Sequence, residues 1–323
     1  MNKKIGVFCS GGDAPGMNAC LRAIVRRGIA QGLDMVAIYR GFEGIFKEEF
    51  EEMTPRSVSN IIQKGGTIIR TARSQEFYTD TGVQKAANIL KRHNFDALCA
   101  IGGDGTFRGL IELQKYWSGQ IIGIPGTIDN DIYGTDFTIG YDTAIDTAIQ
   151  ALDRIRDTAE SHERVFLVEV MGREAGFIAL EVGIGCGAEE ILIPEDKPID
   201  FITIANRIRE AKERGKKSLI VIVAEGADDR DIFTFSKTLA KHLEYKTYIS
   251  ILGHIQRGGS PSARDRWLAT RLGAYAIDCI LAGDTGIMVG EQNKELTKIS
   301  LEETRKKKQI DEYAYSLLRD LAI

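Results

Sequence analysis

Two apolar runs that each end in a turn of glycine and aspartate restrict the possible folds of this chain more than any other feature. The runs occupy residues 96–101 and 120–124, and their length and composition predict buried parallel strands. The turns after them read Gly102-Gly103-Asp104-Gly105-Thr106 and Pro125-Gly126-Thr127-Ile128-Asp129-Asn130-Asp131-Ile132. Open α/β sheets bind ligands at the carboxyl ends of their strands, so we expect the aspartates of both turns to lie at one edge of a sheet.

Glycine and aspartate together in these turns favour a particular chemistry. The backbone N–H groups of glycine turns hold a polyphosphate, and Mg2+ offsets its charge. A further carboxylate that no cation fixes can deprotonate an attacking hydroxyl. The two turns are therefore typical of a site that transfers a phosphoryl group to a small metabolite.

Strand and helix patterns alternate along the chain, which favours mostly parallel sheets with helices on both faces. The predicted strands are residues 4–9, 35–39, 96–101, 121–124, 165–170, 191–193 and 219–224. The predicted helices are residues 17–31, 83–93, 107–115, 142–159, 201–214, 233–242 and 264–282. A chain of 323 residues is longer than one average domain, so we expect two α/β domains.

Charge and composition exclude several classes of partner. A net charge of -4 gives no electrostatic reason to expect binding to nucleic acid or to an anionic membrane. No apolar stretch has the length of a transmembrane helix, and the first residues leave no room for a signal peptide before the first strand. Five cysteines without CxxC spacing favour reduced core thiols. We therefore predict a cytoplasmic protein.

Five motifs occur in the order found in bacterial ATP-dependent 6-phosphofructokinases, and the chain resembles that family, the phosphofructokinase A family, from about residue 3 to about residue 290. Besides the two turns above, they are Ser10-Gly11-Gly12-Asp13-Ala14-Pro15-Gly16-Met17-Asn18, Met171-Gly172-Arg173 and Gly253-His254-Ile255-Gln256-Arg257-Gly258-Gly259-Ser260-Pro261. The turn at residues 102–106 alone would not be specific, because it also occurs in NAD kinases and lipid kinases. The five motifs together are specific.

The resemblance implies two Rossmann-like three-layer α/β/α domains with mostly parallel sheets and the active site in the cleft between them. It implies a large ATP-binding domain of residues 1–139 plus 254–300 and a small fructose-6-phosphate-binding domain of residues 140–253 plus 301–323. It further implies a homotetramer with shared sites, which transfers the γ-phosphoryl of Mg-ATP to the 1-hydroxyl of fructose 6-phosphate. The products would be fructose 1,6-bisphosphate and ADP.

The nucleotide side of the implied site uses the first two glycine turns. Gly11-Gly12 follows a strand and opens a helix, where backbone donors favour a phosphate, although an ordinary tight turn has the same sequence. The resemblance implies that Asp104 holds Mg2+ through water; capping the next helix is the structural alternative. The implied nucleotide-binding residues are Gly12, Arg73, Gly103, Asp104, Gly105 and Thr106.

The reacting groups are implied to meet at the third turn. In an extended turn Thr127, Asp129 and Asp131 would point the same way, whereas Asn-Asp after Asp is also common turn chemistry. The resemblance implies that Asp129 is the general base for the sugar 1-hydroxyl, with Asp131 nearer the metal and Thr127 against the reacting groups. It implies that Arg73 and Arg173 neutralise the transferred phosphoryl, since guanidinium groups grip phosphate oxygens bidentately.

The resemblance also implies a pocket for the sugar phosphate. Its residues are Thr127, Ile128, Asp129, Arg164, Met171, Gly172, Arg173, Glu225, Tyr248, His254 and Arg257. Arg164 would come from a neighbouring subunit, and His254 could instead be a buried structural histidine. The family usually has a second interface arginine where this chain has Tyr248, so one charge is missing. Either Lys246 or another cation compensates, or the phosphate is held less tightly, or the substrate differs.

Two glycines bear on the phosphoryl donor. Relatives that use pyrophosphate carry a bulkier acid at the position of Gly105 and a lysine at that of Gly126. An aspartate at residue 105 would fill space that the α-phosphate of ATP needs, so ATP is the predicted donor. The alternatives are a pyrophosphate-dependent phosphofructokinase and a non-catalytic subunit that senses sugar phosphates or nucleotides. Intact Asp104 and Asp129 argue against the second.

A second anion site is implied between subunits, for ADP, GDP or phosphoenolpyruvate as an effector. Its matching residues are Arg22, Arg26, Arg156, Glu189, Arg214 and Lys216. Two positions depart from the family, because Pro55 replaces a usual arginine and Asn60 replaces an acid. Solvated surface cations are the alternative interpretation of these residues.

Overall fold

The computed structural model describes residues 2–162, 164–243 and 245–321 of the chain. The strands are β1 (Lys4–Cys9), β2 (Asp34–Ile38), β3 (Phe50–Glu52), β4 (Ala97–Gly102), β5 (Gln120–Pro125), β6 (Val165–Val170), β7 (Glu190–Leu192), β8 (Leu219–Ala224), β9 (Thr247–Ile251), β10 (Ile287–Gln292) and β11 (Glu295–Ser300). The helices are α1 (Met17–Ala30), α2 (Phe42–Phe46), α3 (Asp80–Arg92), α4 (Asp104–Gln114), α5 (Tyr141–His162), α6 (Phe177–Gly185), α7 (Phe201–Glu213), α8 (Ile232–Ala240), α9 (Ala263–Ala282) and α10 (Glu312–Leu321).

The chain divides into two compact units. The first comprises Met1–Thr143 and Arg257–Lys308, and the second comprises Ala144–Gln256 and Gln309–Ile323. These ranges differ from the predicted domains by a few residues at each junction. The largest difference is at residues 301–308, which stay with the first unit because Leu301 is buried in its core and Lys307 pairs with Ile132.

The described residues of the first unit contain a sheet of seven strands in the order β11-β10-β5-β4-β1-β2-β3. The inner strands β10, β5, β4, β1 and β2 run parallel, and β11 and β3 pair antiparallel at the two edges. Because β1, β4 and β5 are neighbours, the turns that follow them emerge side by side at the carboxyl end of the sheet. This is the arrangement predicted for the glycine and aspartate turns.

Helices cover both faces of this sheet. Phe8 of β1 and Leu98 of β4 lie in one buried cluster with Leu90 of α3 and Phe107 of α4. Residues that alternate with them along the strands, such as Val7, point to the opposite face, where α1 and α9 pack against each other and the sheet. The first unit is therefore a three-layer α/β/α structure.

In the second unit, the described residues form a parallel sheet in the order β7-β8-β6-β9. Its helix α6 is absent from the predicted elements because its sequence is apolar on every side, which leaves no helical periodicity to detect. The predicted α/β class, with mostly parallel sheets in two units, is confirmed. No helix in the described part of the chain is long and apolar enough to cross a membrane.

Candidate active site

The first two glycine turns meet beside the hydroxyl of Thr106. The N–H of Ser10, directly after β1, donates to the carbonyl of Ile101 in β4 at 3.0 Å, which ties the two turns together. A Cβ atom at Gly102 would lie 2.3 Å from Thr106 Oγ1, and one at Gly11 would lie 3.7 Å from it. This hydroxyl is buried and has no hydrogen-bond partner among the described residues. A buried unpaired donor costs stability, so its position between two backbone turns fits a phosphate oxygen as its missing partner.

Asp104 begins α4 but does not cap it. The N-cap is Gly103, which makes no side-chain capping bond, and the Asp104 carboxylate instead pairs with Arg108 one turn later, at 2.9 Å. The carboxylate is about one-third exposed, and the described residues contain no group of three or more metal-ligating side chains. A single accessible carboxylate fits a Mg2+ ion whose other ligands are phosphate oxygens and water. The structural alternative for Asp104, a helix cap, is therefore wrong.

The third turn, which carries Asp129, runs beside the second. The N–H of Gly126 donates to the carbonyl of Gly102 at 3.0 Å, so the turns after β4 and β5 run together. Asp129 is 1% exposed, and its N–H donates to Thr127 Oγ1 at 3.2 Å. Asp131 is half-buried. Ile128 is fully buried.

The extended conformation considered for residues 127–131 is wrong. The chain bends at Ile128 and Asp129, and Asn130 follows in the left-handed region with φ 51°. The Asn130 side chain holds this bend, because its Oδ1 accepts from Thr138 N at 3.0 Å and its Nδ2 donates to Asp136 O at 3.2 Å. The asparagine therefore positions Asp129.

Two arginines of the first unit lie near the β1 turn. Thr71 donates its hydroxyl to the carbonyl of Gly11 at 2.8 Å, which brings the loop with exposed Arg73 to this turn. Arg257 Nη1 donates to Asp13 O at 3.2 Å, and a Cβ at Gly12 would lie 2.6 Å from the same nitrogen. Gly12 thus admits the Arg257 side chain against the β1 turn, and a Cβ at residue 12 would displace it.

The turn after β6 in the second unit is held by two side chains. Its three successive N–H groups, those of Met171, Gly172 and Arg173, all donate to side-chain oxygens. Gln256 Oε1 accepts from Met171 at 2.9 Å, and Glu225 Oε1 accepts from Gly172 at 3.3 Å and from Arg173 at 2.7 Å. Gly172 has φ 144° and Arg173 has φ 54°, so the side chains support an unusual backbone conformation.

The remaining predicted sugar-phosphate residues occupy two places in the second unit. His254 lies exposed on the 3-10 turn Gly253–Arg257, so the alternative of a buried structural histidine is wrong. Tyr248 lies on β9, paired in register with Phe166 of β6, and its ring contacts the guanidinium of Arg164.

Comparisons with known proteins identify the family of this chain. A family model described as Phosphofructokinase matches residues 4–280. The chain belongs to the phosphofructokinase family. It is 51% identical over 322 residues to the ATP-dependent 6-phosphofructokinase 1 of Thermus thermophilus and 48% identical to the ATP-dependent 6-phosphofructokinase of Oceanobacillus iheyensis, covering 99% of this chain and 100% of each relative.

Solved phosphofructokinase structures resemble the whole chain. The Pichia pastoris phosphofructokinase in the T-state superposes with a TM-score of 0.88 at 35% identity, over 94% of this chain and 35% of that longer chain. A pyrophosphate-dependent phosphofructokinase from Marinobacter aquaeolei superposes with a TM-score of 0.82 at 23% identity, over 96% of this chain and 86% of its own. The second likeness concerns the fold alone.

The two glycines that bear on the identity of the phosphoryl donor, Gly105 and Gly126, differ in their surroundings. A Cβ at Gly105 would have no atom within 4 Å, so the space beside this turn is open. A Cβ at Gly126 would lie 2.8 Å from Ile101 Cγ2 and 3.3 Å from Met17 Cε. A lysine at residue 126 would therefore begin against core side chains, and Ile101 would have to move to admit it.

The residues predicted for an effector fall into two groups. Arg22 and Arg26 lie one turn apart on α1 in the first unit, where Arg26 Nη2 donates to the carbonyl of Pro55 at 3.5 Å. In the second unit Arg156 Nη2 donates to the carbonyls of Cys186 and Gly187, at 2.6 and 3.0 Å.

Glu189 lies in the same region of the second unit and is mostly buried. It accepts the N–H of Ile220 at 2.5 Å and lies 3.7 Å from Lys216 Nζ. Burial raises the pKa of its carboxyl above the usual range. Arg214 ends α7 as its C-cap, just before Lys216.

Two positioning residues are absent from the predicted set: Asn130 and Gln256. Gln256 lies in the motif of residues 253–261. A polar side chain close to an apolar strand was the feature of the sequence that could have indicated its role. The sequence around Asn130 is that of an ordinary turn, so it does not indicate this role. Lys246 contacts the ring of Tyr248. The sequence suggested a role for Lys246 only because the usual arginine is missing at residue 248.

Proposed function

We propose that this chain is an ATP-dependent 6-phosphofructokinase, which transfers the γ-phosphoryl of Mg-ATP to the 1-hydroxyl of fructose 6-phosphate. One observation carries the proposal: buried Asp129 lies at the end of β5, beside two glycine turns that share the unpartnered hydroxyl of Thr106. A carboxylate beside turns of this kind supports phosphoryl transfer to a hydroxyl. Relatives of 51% and 48% identity, named ATP-dependent 6-phosphofructokinases, support the choice of substrates.

Asp129 acts as the general base in this proposal. Its carboxylate accepts the proton of the 1-hydroxyl while that oxygen bonds to the γ-phosphorus. The bond from the γ-phosphorus to the bridging oxygen breaks, and its electron pair leaves with ADP. Asp104 would hold a Mg2+ ion, which would offset negative charge on the phosphates. The bond from Asp129 N to Thr127 Oγ1 keeps the base in place.

The other site residues bind and orient the reactants. Arg73 and Arg173 neutralise the transferred phosphoryl, and Gly12, Gly103, Gly105 and Thr106 hold the nucleotide phosphates through backbone and hydroxyl donors. The turn of Met171, Gly172 and Arg173, together with Glu225, His254 and Arg257, holds the sugar phosphate. Asp131 would lie nearer to the Mg2+ ion than Asp129 does. The open space beside Gly105 supports ATP over pyrophosphate, because the α-phosphate needs that room.

Assembly and regulation are part of the same proposal. The enzyme is a cytoplasmic homotetramer in which Arg164 and Tyr248 reach the sugar phosphate of a neighbouring subunit. The cysteines of the described residues are free thiols, which supports a reducing compartment. An anionic effector, ADP, GDP or phosphoenolpyruvate, binds at Arg22, Arg26, Arg156, Glu189, Arg214 and Lys216. Arg156 is already oriented by two backbone carbonyls.

Initial rates with two donors test the function. Purified protein is titrated with fructose 6-phosphate in the presence of Mg-ATP or Mg-pyrophosphate, and fructose 1,6-bisphosphate is measured. Saturable formation with ATP and none with pyrophosphate is expected. Turnover with pyrophosphate alone would support the pyrophosphate-dependent alternative. Absence of turnover with either donor at high sugar phosphate would refute the proposal and favour a sensor.

A further inference from the structure

We propose that Lys246 supplies the second positive charge of a phosphate-binding site whose first charge is Arg164, with the ring of Tyr248 as the platform that holds both cations. The ligand is the terminal phosphate of a phosphate monoester. This inference rests on the proposed function, in which fructose 6-phosphate is that monoester. It assigns Lys246 as the residue that compensates for the arginine missing at position 248.

The two cations share one aromatic ring. Arg164 Cζ lies 4.4 Å from the centroid of the Tyr248 ring, and Lys246 Nζ lies 5.2 Å from the same centroid. Both distances are within the range of about 6 Å in which a cation is attracted by a ring. The Phe166 ring lies 5.5 Å from Tyr248 and fixes the ring from the neighbouring strand.

The backbone around this cluster is hydrogen-bonded to the sheet of the second unit. Arg164 precedes β6, where its N–H donates to Ala159 O and its carbonyl accepts from Leu219 N, both at 3.1 Å. Lys246 precedes β9 by one residue and Tyr248 by two, so the lysine and tyrosine side chains point to the same face of the strand. The two cationic groups therefore project from fixed positions.

The described residues supply no paired carboxylate for the charge of this cluster. Within the described ranges, neither Arg164 nor Lys246 forms an ion pair with a carboxylate. Their cationic groups are at most about 10 Å apart, since both lie close to one ring centroid, and this is comparable with the Debye length of about 8 Å at physiological salt. They therefore repel each other, and an anion near both would relieve the repulsion.

A phosphate monoester matches the donors of this cluster. The guanidinium of Arg164 offers a planar fork for two phosphate oxygens, and the ammonium of Lys246 is a compact point charge. The ring of Tyr248 contributes no charge, so its part is to hold the two cations. A chain with tyrosine at residue 248 and no lysine at residue 246 would offer this phosphate only one positive charge from this cluster.

Steady-state kinetics of Lys246→Met test the inference, because methionine keeps most of the apolar stem and removes the charge. We expect the KM for fructose 6-phosphate at saturating Mg-ATP to rise about tenfold, the loss of one charge-assisted contact, with kcat changed less than about twofold. The matched control is Lys237→Met, which removes an exposed lysine of α8 and should leave KM unchanged.

Two tyrosine variants separate the ring from the hydroxyl. Tyr248→Phe keeps the platform and loses only the hydroxyl, so its KM should rise less than that of Lys246→Met. Tyr248→Leu removes it and should raise the KM as Lys246→Met does, provided that its thermal unfolding shows a folded protein. An unchanged KM in Lys246→Met, in an active and folded enzyme, would overturn the inference while leaving the proposed function intact.

Phosphate binding measured at equilibrium tests the inference even if the proposed function proves wrong. Inorganic phosphate is titrated calorimetrically into the unaltered protein and Lys246→Met, with Mg-ADP saturating so that nucleotide-binding turns are filled. Weaker phosphate binding by the variant supports the site even if no turnover of fructose 6-phosphate is found. Equal binding by the two proteins would overturn the inference whatever the reaction proves to be.

Discussion

Replacing Gln256 should impair use of the sugar phosphate through the backbone that Gln256 holds. The Gln256 side chain is fully buried, and its Oε1 accepts the Met171 N–H at 2.9 Å. Glu225 holds the next two N–H groups of the same turn, so Gln256 anchors its first residue. We predict that Gln256→Leu lowers kcat/KM for fructose 6-phosphate because the turn loses this anchor.

The free-energy cost of Gln256→Leu follows from the buried N–H group of Met171. Leucine has a similar volume but accepts no hydrogen bond, so the Met171 N–H would stay buried and unpaired at a cost of about 1–3 kcal/mol. The alternative is that the turn relaxes, and then Gly172 and Arg173 leave their positive φ values and the Arg173 guanidinium moves. If this cost appears in transition-state binding, kcat/KM falls about 5-fold to 150-fold.

Kinetics with both substrates and thermal unfolding check this prediction. The KM for Mg-ATP should change little, since the residues assigned to the nucleotide lie in the first unit. Gln256→Glu is the matched control: it keeps an accepting oxygen, and the Nε2 that it replaces has no partner among the described residues. It should retain more activity than the leucine variant. A folded Gln256→Leu protein with unaltered kcat/KM would refute the positioning role.

Other changes probe the first unit. Thr106→Val removes an unpartnered buried hydroxyl, so thermal unfolding should show equal or greater stability while the KM for Mg-ATP rises about tenfold. A Cβ at Gly105 would meet no atom within 4 Å, so Gly105→Asp should fold normally. It should raise the KM for Mg-ATP far more than Gly105→Ala does, and equal effects would contradict the α-phosphate argument. Burial raises the pKa of Asp265 from 3.8 to about 6, so this carboxyl holds its proton more tightly in the folded chain than in the unfolded one. Its contribution to stability is full below about pH 4 and is lost as the pH rises through about 6, a change of about 3 kcal/mol. The free energy of unfolding relative to Asp265→Asn should fall accordingly, and a flat difference would contradict the assignment.

Local sequence predicted most of the strands but fewer of the connections. Residues 4–9, 165–170 and 219–224 have their predicted bounds because each run is apolar and ends abruptly at a polar residue or turn. The hairpin of β10 and β11 was not predicted. Its turn uses Asn293 and Lys294, both with positive φ, and lacks the glycine that usually marks such a turn.

In the candidate site, too, the local sequence predicted some features and not others. Glycine and aspartate after an apolar run predicted where Asp104 and Asp129 lie, because that signal is local. The contact of Gln256 with Met171 joins residues 85 apart in the chain, and no local pattern encodes it. The bend at Asp129 depends on Asn130 binding Thr138 and Asp136, so the third turn could not be predicted from its own residues.

The turnover of Asp129→Asn tests the central claim most directly. Asparagine keeps the size of the side chain but cannot accept the substrate proton at neutral pH, so kcat should fall about 100-fold to 10,000-fold. Calorimetric binding of Mg-ADP should be preserved, and Asp136→Asn, which changes an exposed aspartate near the same turn, should keep its rate. This result would establish Asp129 as the base of a phosphofructokinase. A kcat for Asp129→Asn within about tenfold of the unaltered enzyme, with nucleotide binding retained, would contradict it.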